Sequence, residues 1–123
     1  MPGLRIGWLV SGRASRGDQG TVAAMVAEYR RWRDRVVELV GATPGLTGYR
    51  PQGAFYIMPS LPAGTDGSAV ALRLLAETGV CTIPGDTFGE SCRNALRISY
   101  AAAPDRIEAA FERMTPWFGK QSF

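Results

Sequence analysis

Two rhythms of apolar residues run through the chain. From Thr21 to Val40, the residues Val22, Met25, Val26, Tyr29, Val36, Val37 and Val40 recur at helical spacing and predict an amphipathic helix. Thr21 suits its amino-terminal cap and Gly41 its far end. The turn-rich stretch "GATPGLTGYRPQG" releases the chain into "AFYIM", a β-prone run closed by Pro59. A loop, "SLPAGTDGS", leads to a second helix from about Ala69 to Thr78, with Val70, Leu72, Leu74 and Leu75 on its apolar side and Gly79 at its end. "VCTIP" reads as a short buried strand, "GDTFGES" as a loop, and "ALRISY" as a third strand. Pro104 fits the first turn of a last helix, whose stripe is Ile107, Ala110, Phe111, Met114 and Phe118.

The elements therefore run helix, strand, helix, strand, strand, helix, with no internal repeat. Three short strands do not make a free-standing two-sided sheet, so helices must cover at least one face. The expected fold class is α/β (α+β), a two-layer sandwich, with the strand order left open by the pattern. Residues 1–20 read as an irregular amino-terminal segment, 119–123 as a tail, and 1–123 as a single domain.

Composition narrows the function classes. With 46% hydrophobic and 20% charged residues, the 123-residue chain has the make-up of an ordinary soluble globular protein. No apolar run reaches the roughly 20 residues that span a bilayer, so no membrane partner is expected and a cytoplasmic protein is the default reading. Net charge is +3, and of the 14 basic residues all but Lys120 are arginine. Histidine is absent, which removes the commonest general base and the commonest metal ligand. Cys81 and Cys92 are too few for a disulfide framework or a cysteine-only zinc site, and are expected to be buried or partly buried free thiols. No metal is expected. "SGRASRG" holds two arginines and no aromatic residue, which argues against nucleic acid as a partner. "GDTFGE" lacks the lysine and the glycine spacing of a phosphate loop.

One residue stands out against this background. In "NALRISYA", alternation puts Leu96, Ile98 and Tyr100 on one face and Ala95, Arg97, Ser99 and Ala101 on the other. Arg97 is thus a permanent charge on a strand, flanked by small residues. One reading is a structural ion pair with Asp86 or Glu90, which are otherwise expected in a solvated loop. The other is a receptor for an anionic ligand, because the arginine fork matches a carboxylate through two parallel hydrogen bonds. The pattern leaves both open.

Four blocks carry a resemblance. "PGLRIGW", "PQGAFYIMPSL", "IPGDTFGE" and "NALRISYA", in that order and spanning Pro2 to about Phe118, resemble the carboxyl-terminal part of the class I/II aminotransferases. These are the aspartate-aminotransferase-like, pyridoxal-phosphate-dependent enzymes of fold type I. The resemblance implies a small domain with a mostly antiparallel three-stranded sheet covered by helices. It implies amino-group transfer between an amino acid and a 2-oxo acid. Arg97 would grip the substrate α-carboxylate, Arg5 would help to hold the cofactor phosphate, and Phe55, in "GAFY", would line the substrate side. No catalytic residue is assigned within the chain.

The chain also departs from that family. The Schiff-base lysine of relatives would fall before Met1, and Lys120 sits past the last helix. A long helical stretch that relatives carry after "GW" is replaced by "SGRASRGDQG". The large domain of the family, with most of its cofactor ligands, has no counterpart here. The expectation is a chain inactive in isolation that binds no pyridoxal phosphate stably. The alternative expectation is a non-catalytic binding or interaction module, which self-associates as a homo-oligomer or pairs with a separate large domain.

Overall fold

The computed structural model describes residues 19–123. The expected architecture is there, and the strand that carries Arg97 lies at the centre of its sheet. The elements are α1 (Gln19–Gly41), β1 (Tyr56–Ile57), α2 (Gly67–Thr78), β2 (Ile83–Pro84), β3 (Leu96–Ser99) and α3 (Pro104–Gly119). The sheet order is β1-β3-β2 and both pairings are antiparallel. Tyr56 stands opposite Ser99 and Ile57 opposite Ile98 on one side of β3; Ile83 stands opposite Arg97 and Pro84 opposite Leu96 on the other.

Directly opposed residues point to the same face of a sheet. Ile57, Pro84, Leu96 and Ile98 therefore share the core face, while Tyr56, Ile83, Arg97 and Ser99 share the open one. Burial follows that division: Leu96, Tyr100 and Ile57 are buried, whereas Ile83 and Ser99 are exposed. The core packs these residues against Leu74 of α2, Phe111, Met114 and Phe118 of α3, and Val36 and Val40 of α1. A two-layer arrangement follows, because the strands have one apolar face and the helices one apolar stripe.

The third helix keeps its expected form. Pro104 occupies its first turn, where a missing N–H costs no intrahelical bond. Ile107, Phe111, Met114 and Phe118 are buried on its inner side. Elsewhere the structure corrects the reading. The first helix begins at Gln19, so Thr21 lies inside it and is not its cap. Val22, Met25 and Val26 are exposed, because only the carboxyl-terminal half of α1 reaches the core cluster. The second helix begins at Gly67, capped by Asp66, whose side chain accepts a hydrogen bond from the Ser68 N–H at 3.0 Å. Gly79 ends it in the left-handed conformation, as glycine at that position does without a Cβ penalty.

Its inner face is Val70, Ala71 and Leu74; Leu72 is 69% exposed and Leu75 is also exposed. Strands β1 and β2 are shorter than "AFYIM" and "VCTIP", because their ladders with β3 extend over only two residue pairs each. "GDTFGES" folds into two tight turns, Gly85–Phe88 and Glu90–Cys92. Cys81 is exposed, contrary to expectation, since the alternation Val80, Cys81, Thr82, Ile83 sends Val80 and Thr82 inward and Cys81 outward. Cys92 is partly buried, as expected.

Two glycines set where β3 starts. The Gly67 N–H donates to the Arg93 carbonyl at 2.9 Å and the Gly85 N–H to the Ala95 carbonyl at 2.8 Å. A Cβ on Gly67 would lie 2.6 Å from the Ala95 oxygen, and one on Gly85 would lie 2.1 Å from the Cys92 oxygen. The segment leading into Arg97 is thus held between two backbones that only glycine lets approach so closely.

Candidate functional site

The open face of the sheet gathers around Arg97. Tyr56 arrives from β1 by register, because it opposes Ser99 on the same face. Phe88 arrives from the turn that follows β2. The guanidinium carbon of Arg97 lies 4.3 Å from the Tyr56 ring centroid and 5.2 Å from that of Phe88. Both separations fall within the range of cation–π attraction. The Arg97 side chain is half-buried, and its Nε is buried without a hydrogen-bond partner.

The structural ion pair does not form. Asp86 instead accepts a hydrogen bond from the Ser68 hydroxyl at 2.8 Å, and Glu90 pairs with Arg93 at 3.1 Å. Other arginines of the fold are engaged with carboxylates: Arg33 and Arg50 with Asp34, Arg35 with Glu108 and Glu38, Arg73 with Glu77. Among the described residues Arg97 has no carboxylate partner, only aromatic ones. Because Nε is enclosed, the terminal Nη groups are the donors left to an incoming anion, and together they can receive both oxygens of a carboxylate.

Tyr100, at the end of β3, is buried, donates its hydroxyl to the Ala54 carbonyl at 3.2 Å, and donates its N–H to the Phe55 carbonyl at 2.8 Å. Burial pushes its phenol above the ordinary value, an effect that nearby Arg33 opposes and Asp34 reinforces. The Arg33 guanidinium, hydrogen-bonded to Asp34, holds that carboxyl below the usual carboxylate range.

The residues singled out from sequence divide three ways. Arg97 is on the open face, as alternation required. Phe55 is 44% exposed; its ring stands edge-on to Tyr56 at 6.0 Å and its carbonyl accepts from the Ser99 hydroxyl at 3.5 Å. Arg5 lies outside the described residues. Tyr56 and Phe88 were missed. Tyr56 could have been found: Ile57 is a core residue, so its neighbour must face the other way, toward Arg97. Phe88 could not, because the Gly85–Phe88 turn that delivers it depends on contacts with Cys92 and Ala95.

Comparison with known proteins decides the family. A family profile described as aminotransferase class I and II matches residues 8–114. The chain belongs to the class I and II aminotransferase family. It is 35% identical over 92 residues to an arginine–pyruvate transaminase of Pseudomonas aeruginosa, covering 74% of this chain and 23% of that enzyme. It is 38% identical over 97 residues to a probable aspartate aminotransferase of Methanocaldococcus jannaschii, covering 79% and 25%. Among solved structures, an aromatic aminotransferase from Pyrococcus horikoshii superimposes with a TM-score of 0.80 at 32% identity, covering 87% of this chain and 28% of that one. The chain thus spans about a quarter of the length of the aminotransferases it matches.

Aminotransferases of this family act on amino acids and 2-oxo acids with pyridoxal phosphate. The described residues do not by themselves fit that cofactor. The chain's one lysine, Lys120, follows the end of α3, and the described side chains gathered on the face of Arg97, namely Tyr56, Phe88, Ile83 and Ser99, include no amine. No chemical step through the cofactor is therefore assigned to these residues. What they bring together is one guanidinium, flanked by two π faces and without a carboxylate partner among the described residues. No helix among the described residues is long and apolar enough to cross a membrane.

Proposed function

We propose that this chain is the small domain, 1–123, of a pyridoxal-phosphate-dependent aminotransferase, and that Arg97 receives the α-carboxylate of its amino-acid or 2-oxo-acid substrate. The observation that carries the reading is the state of Arg97, a half-buried arginine on an open sheet face with no acidic partner among the described residues. A buried-side charge left unpaired by the protein is costly unless a ligand completes it. In the parent enzyme Arg97 would fix the carboxylate end of the substrate and so orient the α-carbon, and Arg5 would contribute to the cofactor phosphate site. By itself the chain brings no amine to the site among its described residues, and on this reading it is inactive in transamination. The test is equilibrium binding of pyruvate to the chain and to Arg97→Ala. Saturable binding that the substitution abolishes supports the reading; equal binding by both proteins overturns it. Treatment with pyridoxal phosphate and borohydride should leave no stoichiometric, site-specific adduct, and finding one would overturn the expected inactivity.

A second reading is favoured by a separate observation. Val22, Met25 and Val26 are exposed along α1 at helical spacing. Such an apolar stripe suits contact with another protein surface, whether a second copy or a large domain. Sedimentation over a wide concentration range separates the readings, since a clean monomer throughout removes self-association.

A further inference from the structure

The structure points to Tyr56 and Phe88 as positioning residues that hold the Arg97 guanidinium in place without using its hydrogen-bond donors. The inference rests on the reading of Arg97 as a carboxylate receptor. An arginine side chain has many rotamers, and in this fold the usual device for ordering one is a carboxylate: Arg35 is gripped by Glu108 through Nε at 2.6 Å and Nη2 at 3.0 Å. That device would defeat a receptor, because the fork it orders is the fork the ligand needs. Aromatic rings order the cation by a different route. They attract it through their faces and accept no conventional hydrogen bond from its edge.

Arg97 is the place where the fold makes this exchange. Its neighbours lie at 4.3 and 5.2 Å, one from β1 on one side of β3 and one from the turn that follows β2 on the other. Phe55 sets its ring edge-on to Tyr56, which adds a further contact to the ring nearest the charge. The Gly85 contacts fix the turn that delivers Phe88. Each ring also removes water from beside the guanidinium, which strengthens its attraction for a carboxylate at the remaining edge.

The test uses two readouts on the 123-residue chain: the dissociation constant for pyruvate, and the rate of guanidinium rotation at Arg97 measured by NMR with isotope-labelled arginine. Removing either ring, by Tyr56→Leu or Phe88→Leu, should speed the rotation and weaken pyruvate binding about three- to fivefold. Tyr56→Phe and Phe88→Tyr keep a ring and should stay close to wild type in both. These variants also guard against loss of fold, because any effect of truncation alone is absent from them. Leucine variants with unchanged rotation, or with unchanged affinity, overturn the inference. If wild type binds no pyruvate, or binds it independently of Arg97, the receptor reading fails by its own test. Rotation that is slow in wild type and fast in the leucine variants would then still support the positioning role while the receptor reading falls, so the two failures are distinguishable.

Discussion

Replacing Gly85 by alanine probes the packing that aims the site. The added Cβ would meet the Cys92 carbonyl oxygen at 2.1 Å and the Ala95 oxygen at 2.9 Å, both of them backbone atoms that have no rotamer to move into. Carbon–oxygen contacts ordinarily stop near about 3.3 Å, so the two strands of chain must part by about 1 Å. Overpacking of this kind costs about 1–3 kcal/mol, and the parting also strains the 2.8 Å hydrogen bond from Gly85 to Ala95, worth about 1 kcal/mol. The expected loss is about 3 kcal/mol, or about 10 °C in melting temperature for a domain of this size. Gly53→Ala is the control: nothing lies within 4 Å of its added Cβ, its φ is not positive, and its effect should stay within about 0.5 kcal/mol. Thermal unfolding followed by circular dichroism reads both. Equal melting temperatures for the two variants would refute the close approach at Gly85. The same substitution should also loosen Phe88 from Arg97, because Phe88 closes the turn that Gly85 opens.

Three further outcomes follow from particular contacts. Leu74→Ala, at a position fully buried between α2 and the rest of the core, should cost about 2–5 kcal/mol, whereas Leu72→Ala, two residues away and exposed, should be close to neutral in denaturant unfolding. The Arg35 guanidinium, hydrogen-bonded to Glu108, holds that carboxyl below the usual range, so its contribution is complete above the unfolded carboxylate pKa and is lost as pH falls through the folded one. Glu108→Gln should therefore flatten the acid limb of the stability profile, and added salt should do the same in part. Tyr100 has its phenol raised by burial, so its contribution is present below the unfolded tyrosine value and is lost as pH climbs beyond it. Tyr100→Phe should remove that alkaline loss, which spectrophotometric titration of the phenol can assign.

Much of the fold was legible because period and burial agree. In α3 the stripe Ile107, Phe111, Met114 and Phe118 is the buried side, and in β3 the parity of Leu96 and Tyr100 put Arg97 on the open face. The reading failed where packing rather than hydrophobicity chose the residue. In α2 the small Ala71 is buried while Leu72 and Leu75 are exposed, because the face turned to the core is the one that carries Gly67, Val70, Ala71 and Leu74. Val22, Met25 and Val26 have the helical spacing of a core stripe and lie beyond the core's reach. The site was half legible for the same reason. Arg97 announced itself as a charge on a strand, whereas its aromatic neighbours depend on register and on a turn held by non-local backbone contacts. The resemblance named the segment "GAFY" but pointed to Phe55, and the ring nearest the cation belongs to the next residue, Tyr56.

Arg97 has no carboxylate partner among the described residues and is proposed to take a ligand carboxylate instead, and Arg97 itself can report on this. With isotope-labelled arginine in the chain, pyruvate is titrated while the arginine Nε–H signals are followed, and chloride at matched ionic strength serves as the blank. The account predicts a saturable shift at Arg97, accompanied by Tyr56 and Phe88, while Arg35, Arg73 and Arg93, already paired with glutamates, move no more than chloride moves them. A response spread evenly over those arginines, or no response at Arg97, would contradict it.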